Sequence, residues 1–323
     1  MPAFRENLIQ APRHVVMVRP HRFRSNPQTM ADNAFQSRSS APEAQVASDA
    51  VAEFYTVVAA LRSRGVVVHE FQDTGVHDTP DSVFPNNWFS THSGGHIAIY
   101  PMFSPNRRLE RRADIIEFLR QSFRVQDIID YSGLELDGLV LEGTGAMVLD
   151  HIANIAYVAR SNRADPIALE RFCTHFGYEP MVFDAADSAG RAVYHTNVMM
   201  CIGTEIALLG AAQIANNNRR DEVIGRLRET GRSVVRLSAE EISRFAGNAI
   251  ELSGHDHRFL ALSQSAYDGL TQKNREAIAA ILPLVPLPVP TLETAGGSVR
   301  CMIAGIHLTP RPVRATPKTE SPK

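Results

Sequence analysis

The chain predicts an α/β fold of about five similar strand–strand–helix–strand units closed around one site, and three observations carry that expectation. Short apolar runs of strand length alternate with helix-period segments along the 323 residues, without a sequence repeat. Each unit then contributes one unusual polar loop: Asp81–Trp88 (DSVFPNNW), Glu142–Gly145 (EGTG), Tyr194–Asn197 (YHTN), Gly247–Glu251 (GNAIE) and Gly296–Cys301 (GGSVRC). Units closed into a ring would bring these loops to one axis. Finally, 44% hydrophobic and 21% charged residues suffice for a sizeable core in one pseudo-symmetric domain.

The elements follow in order. His14–Pro20 (HVVMVRP) reads as a buried strand, and Val46, Ala50, Phe54, Val57 and Leu61 recur at helical spacing between Pro42 and Arg64. Gly65 stops that helix, and Val66–Phe71 is the next strand. Strands at Trp88–Thr91 and His96–Tyr100 flank Gly94-Gly95, followed by a charged helix over Arg107–Phe123 and a strand at Val125–Ile129. Leu139–Leu149 with Asn154–Ala159 predicts a hairpin, Pro166–Phe176 a helix, and Val193–Ile202 with Glu205–Leu209 a second hairpin. Beyond these come a helix at Arg219–Thr230, a strand at Ser233–Leu237 and a short helix at Glu240–Phe245. A strand pair at Ala249–Leu252 and Arg258–Ser263 and a helix at Lys273–Leu282 complete the pattern.

Composition narrows the function classes. A net charge of −2, with Lys and Arg nearly balancing Asp and Glu, argues against a nucleic-acid partner. Cys173, Cys201 and Cys301 have neither paired nor metal-type spacing, which fits a reducing compartment and a cytoplasmic protein. No apolar run is long enough to span a bilayer, and Met1–Gln10 lacks a signal-peptide core, so no membrane partner is expected. Residues 1–308 are expected to form a single catalytic domain. The proline-rich stretch 309–323 is expected to be a mobile tail. Homo-oligomerisation is left open by the sequence.

The chemistry centres on Cys301, which follows a glycine pair and adjoins Arg300. A thiol attacks as its thiolate, and a neighbouring cation or exposed N–H groups stabilise that anion. A lone cysteine is more often a small buried hydrophobe, so its companions matter. His195 and Glu142 supply the rest of a minimal set for covalent attack on a carbon bonded to nitrogen: thiolate, proton-transferring imidazole and orienting carboxylate. Each has an ordinary reading as well, as one of twelve histidines and as a turn acceptor beside glycines. Spacing cannot choose between these, because such triads are assembled in space.

In this order the five loops resemble those of the guanidino-group-modifying superfamily that includes arginine deiminase, dimethylarginine dimethylaminohydrolase and the amidinotransferases. The resemblance spans Val16 to Leu308 and is closest to the citrulline-utilisation hydrolases, to which Val18-Arg19-Pro20, Asn26-Pro27-Gln28-Thr29, Phe84–Trp88 and Gly296–Met302 are similar. It implies a five-bladed pseudo-symmetric α/β propeller, the pentein fold, built of ββαβ units. By motif it also implies Cys301 as nucleophile, His195 as general acid and base, Glu142 as orienting carboxylate, and Arg160 as the residue gripping a substrate α-carboxylate.

Departures from the family pattern bear on substrate. Asn87 and Asn197 stand where arginine deiminase-like members carry acidic residues. A guanidinium favours carboxylates through charge-assisted bidentate bonds, whereas carboxamides offer donors and acceptors suited to a neutral ureido group. The expectation is hydrolysis of a ureido amino acid, citrulline to ornithine, ammonia and carbon dioxide. A guanidino substrate, with Asp81 and Glu142 supplying charge, is the alternative within the enzyme class; a non-catalytic propeller is the alternative outside it. Gly145 replaces an expected aspartate, Tyr100 stands where dimethylarginine hydrolases carry a carboxylate-binding arginine, and Gly296 stands where they have aspartate. His255-Asp256-His257 lacks a third and fourth ligand for a metal site, no phosphate-binding glycine loop is evident, and no cofactor is expected.

Overall fold

The structure, a computed structural model, describes residues 10–312. Five three-stranded sheets run through these residues. The first in space joins β15 (Ala304–Ile306), β1 (His14–Arg19) and β2 (Val67–Gln72); the second contains β3 (Phe89–His92), β4 (His96–Ile99) and β5 (Asp127–Asp130). The others are β6 (Met147–Asp150), β7 (Ile155–Ala159) and β8 (Glu179–Phe183); β9 (Met200–Ile202), β10 (Ile206–Leu209) and β11 (Ser233–Arg236); and β12 (Ile250–Ser253), β13 (Arg258–Ser263) and β14 (Leu284–Leu287). Within every sheet the first pair is antiparallel and the second parallel. A parallel neighbour needs a crossover, and a helical segment supplies it each time, giving five ββαβ units. The unit containing β1 borrows β15 from the other end of the described chain, with Val15 opposite Gly305, and this pairing closes the ring.

Helices form where the apolar period and the end signals agree. Helix Glu43–Ser63 buries Val46, Ala50, Phe54, Val57, Val58 and Leu61 on one face. It ends before Gly65, whose φ of +92° and contact with His255, 2.5 Å from where a Cβ would lie, admit only glycine. Helix Pro166–Phe176 starts at Asp165, whose side chain accepts from the N–H groups of Ile167 and Ala168, and stops at left-handed Gly177. Losing the Asp165 cap would cost roughly 1 kcal/mol.

Several expectations are corrected. The helix foreseen over Arg107–Phe123 is two pieces, Pro105–Arg108 and Ala113–Ser122, because Arg107 and Glu110 turn inward as a buried pair. The hairpin arms foreseen at Leu139–Leu149 and Val193–Ile202 are strands only in their second halves, Met147–Asp150 and Met200–Ile202; their first halves are the polar loops. Residues 309–311, foreseen as part of a mobile tail, are held: Arg124 N–H donates to Thr309 O at 2.8 Å and Arg311 N–H to Ser122 O at 2.9 Å. Residues 313–323 of that tail lie outside the described residues. Among the described residues no helix is long and apolar enough to cross a membrane.

Each polar loop immediately precedes the first strand of its sheet: 81–88 before β3, 142–146 before β6, 194–199 before β9, 247–249 before β12 and 296–303 before β15. Equivalent positions in five units thus face one another.

Candidate active site

The turn Gly143–Ala146 brings Glu142 into the interior, fully buried. Its loop lies directly on the Phe84–Asn87 loop: Gly143 has φ +42°, and a Cβ there would come 2.6 Å from Asn86 O. A Cβ on Gly145 would fall 2.2 Å from the Asn87 amide and 2.8 Å from His195 Nδ1, so an aspartate cannot occupy this position with the imidazole where it is. Gly296, φ +80°, is similarly closed, here by the Asn33 amide at 2.4 Å from the Cβ position.

Glu142 Oε2 pairs with His195 Nε2 at 2.8 Å and accepts from Arg163 Nη1 at 3.1 Å, while Oε1 accepts from Phe103 N–H at 2.9 Å. Burial alone would push this carboxyl up, but Arg163, the His195 hydrogen bond and Arg107 override it and hold it well below the usual carboxylate range. Burial lowers the His195 imidazole against the opposing pull of Glu142. The result is an ionised carboxylate fixing a neutral ring.

Cys301, 3% exposed, sits in the tight turn after Ser298. Its Sγ accepts from Asn197 Nδ2 at 3.3 Å and from Asn248 Nδ2 at 3.2 Å. The cation foreseen from the sequence, Arg300, acts on Cys301 through its charge without hydrogen-bonding Sγ, and two of the turn's N–H groups are engaged within the turn. Arg300 turns its guanidinium to Ile303 O and lines a separate cavity of about 50 Å³, while the N–H groups of Gly296 and Cys301 bond Glu293 O and Ser298 O within the turn. Tyr194 Oη, donating to Gly296 O at 2.6 Å, ties the cysteine loop to the histidine loop.

Asp81, Asn87, Arg107, Arg163, His195 and Cys301 share the lining of one cavity of about 20 Å³, room for about one water. Asp81 Oδ2 accepts from Asn26 Nδ2 at 2.8 Å, and Oδ1 has no protein hydrogen-bond partner; burial pushes its carboxyl up. Asn87, with Oδ1 turned to Arg107, accepts from Nη1 and Nη2 at 3.0 Å each. Arg163 is gripped by Asp32, which accepts from Nη2 at 2.7 Å and from Nε at 3.1 Å. Asp32 belongs to the segment between β1 and the first helix, whose Thr29 and Asn33 also line the cavity.

The sequence-predicted residues divide accordingly. Glu142 and His195 are in contact; Cys301, Asn87 and Asp81 line the same cavity as His195; and Asn197 touches the sulfur. Arg160 is not brought in. Its side chain is 63% exposed and pairs with Asp184 at 3.4 Å, and the arginine of that loop that lines the cavity is Arg163. Tyr100 is buried against Ser90, its Oη 2.6 Å from Oγ. His255 and His257 lie in the exposed turn between β12 and β13, and no cluster able to hold a metal occurs among the described residues. Sequence reasoning missed Arg107, Arg163, Asp32 and Asn248; only Asn248 carried a signal, its place in one of the five polar loops.

A ring of five ββαβ units with a carboxylate-held imidazole and a cysteine on one cavity defines the class: the pentein superfamily, a five-unit pseudo-symmetric α/β propeller. Within it, the family model described as eukaryotic N,N-dimethylarginine dimethylhydrolase matches residues 19–308, and the chain belongs to that family. Among solved structures the chain is similar to the N-terminal domain of ArgZ covalently bound to a reaction intermediate, with 15% identity over 91% of this chain and 97% of that one and a TM-score of 0.70. A second ArgZ structure is described as an arginine dihydrolase from the ornithine-ammonia cycle in cyanobacteria. The chain is also similar to a Pseudomonas aeruginosa dimethylarginine hydrolase (DDAH), a cysteine-to-serine mutant complexed with citrulline, at 14% identity, TM-score 0.61, over 92% of this chain and 100% of that one. AgrE, in a binary complex with L-arginine, gives 12% identity and TM-score 0.71 over 92% of this chain but 40% of that one. A search of curated proteins returns no match. The chain is a cysteine-dependent hydrolase of the pentein superfamily.

Proposed function

We propose that the protein hydrolyses the ureido C–N bond of a free amino acid, citrulline, to ornithine, ammonia and carbon dioxide, in the cytoplasm. The observation that carries this reading is the set of carboxamides on the reacting sulfur and in the cavity beside it. Asn197 and Asn248 contact Cys301 Sγ, and Asn87 lines the same small space with its oxygen engaged by Arg107. A carbon within bonding reach of Sγ therefore meets neutral amides, which match a ureido group and leave a guanidinium without its preferred carboxylate pair.

In this reading Cys301 Sγ attacks the ureido carbon as its thiol proton passes to neutral His195. The imidazolium, stabilised by Glu142, protonates the chain-side nitrogen; the C–N bond breaks, ornithine leaves, and a carbamoyl thioester remains on Cys301. His195 then takes a proton from water, whose oxygen attacks the thioester. Carbamic acid departs, the thiol is restored, and carbamic acid breaks down to ammonia and carbon dioxide. The role that the sequence assigned to Arg160 passes to Arg163, a buried planar fork suited to an α-carboxylate once Asp32 leaves it.

A guanidino substrate is the second reading, favoured by the unpartnered Oδ1 of buried Asp81 and by the arginine and citrulline complexes of the neighbours. Amino-acid analysis after incubation with citrulline, arginine or dimethylarginine separates the two. Ornithine from citrulline is the expected product; conversion of arginine to citrulline with citrulline left intact overturns the ureido assignment.

A further inference from the structure

We infer that Asn248 is a catalytic residue, the fixed hydrogen-bond donor that aims Cys301 Sγ at the substrate carbon and stabilises the negative charge the sulfur gains as its proton passes to His195; this rests on the cysteine-nucleophile reading above. Its amide has no freedom to do otherwise. One Nδ2 hydrogen goes to Asn197 O at 3.1 Å, the other to Cys301 Sγ at 3.2 Å, and Oδ1 accepts from Arg300 N–H at 3.1 Å. Turning the amide over would set Oδ1 against the carbonyl of Asn197 and Nδ2 against the N–H of Arg300, two repulsive contacts for three lost bonds. The donor on sulfur is thus dictated by backbone groups of two other loops, independently of how the amide atoms are distinguished.

Close packing keeps it there. Asn248 is fully buried, and a Cβ on the preceding Gly247 would lie 2.5 Å from Val198 O, so the loop rests directly on the turn that carries Asn197. Asn197 differs. Its Nδ2 donates to the sulfur but its buried Oδ1 has no partner, which leaves an acceptor for a substrate N–H. The geometry divides the labour: Asn248 serves the nucleophile, and Asn197 serves both nucleophile and substrate.

Among the described residues no charged side chain hydrogen-bonds Sγ, so these two amides are the side-chain donors on the sulfur. A hydrogen bond to a charged atom corresponds to a factor of about 10 to 100. The test uses the full-length protein and needs no substrate for its first readout. Alkylation of Cys301 by iodoacetamide at pH 7 is followed by peptide mass spectrometry, alongside thiolate absorbance near 240 nm taken against Cys301→Ser. Asn248→Asp keeps the acceptor for Arg300 N–H and loses the donor; Asn248→Ala loses both; Asn248→Ser keeps one shorter donor.

Expected are at least about tenfold slower alkylation in Asn248→Asp and Asn248→Ala, partial recovery in Asn248→Ser, and kcat falling in proportion with KM within about twofold. Wild-type alkylation rates in folded Asn248→Asp and Asn248→Ala overturn the inference and leave the nucleophile intact. Loss of the fold in all three variants also overturns it, making Asn248 a structural clamp. A wild-type Cys301 no more reactive than Cys173 and Cys201 overturns the nucleophile reading itself, and this inference with it.

Discussion

The two sides of the cavity are built from opposite materials. Around Glu142 the side chains are charged: Arg163 and His195 contact the carboxylate, Arg107 stands 3.8 Å from it, and Asp32, Asp81 and Glu110 balance the two guanidinium groups. On the Cys301 sulfur the hydrogen-bonding side chains are neutral, Asn197 and Asn248. The difference separates two tasks. Buried charges on the first side keep Glu142 ionised and His195 neutral and fixed, so a proton can be taken and returned. In the proposed reaction the amides on the sulfur offer the reacting carbon donors and acceptors without charge, and so would bear on substrate choice.

Breaking the charged side has the larger expected effect. Glu142→Gln keeps the shape but removes the charge that stabilises the imidazolium, and kcat is expected to fall by about 10³- to 10⁴-fold, as measured by ornithine release under saturating citrulline. Next comes an exchange of material. Asn87→Asp with Asn197→Asp would make the neutral side acidic, and the ratio of kcat/KM for citrulline over arginine is expected to drop by about 30-fold or more, the worth of a buried charge pair. An unchanged ratio would remove the amides from substrate choice.

Asp32→Asn tests the occupied fork of Arg163. Weakening the carboxylate that a substrate must displace is expected to lower KM for citrulline by about three- to tenfold, a surface-to-buried ion-pair increment. A raised KM would instead make Asp32 a substrate ligand.

The smallest expected effect concerns stability and pH. Burial lowers His195 on the site and, away from it, His92 and His151, and holds His69 at about 4. Unfolded histidines titrate near pH ~6.5. Below that value the unfolded chain binds protons that the folded chain refuses, so stability falls as pH drops from about 6.5 toward 4; above pH ~7 these groups contribute no slope. Thermal melts between pH 7.5 and 5 should show Tm decreasing with acidity, and a Tm constant over that range would contradict the burial of these rings.

How far the site was legible depends on whether a residue's role is local. Helix Pro166–Phe176 was legible to the residue because its cap, its proline and its Gly177 stop all lie within it. β15 was not: Ala304–Ile306 is three residues long and exists through pairing with β1 across the ring. The loops bearing Cys301, His195 and Glu142 stood out as polar breaks before apolar strands, and the family resemblance assigned their order. Arg160 and Arg163 share one loop, and nothing in that stretch says which turns inward. The choice is made by Asp32 and Glu142, which come from other units. Asn248 was passed over for a related reason, since an asparagine after glycine reads as a turn residue until Cys301 is brought to it by ring closure.

In the proposed reaction a covalent bond to Cys301 carries the turnover. The direct measurement is acid quenching of the protein during turnover of citrulline labelled in its ureido carbon, followed by peptide mass spectrometry. One labelled carbamoyl group is expected on the peptide containing Cys301, absent from Cys301→Ala, which should also release no ornithine. Ornithine released by Cys301→Ala at a wild-type rate, with no label on the wild-type peptide, would contradict it.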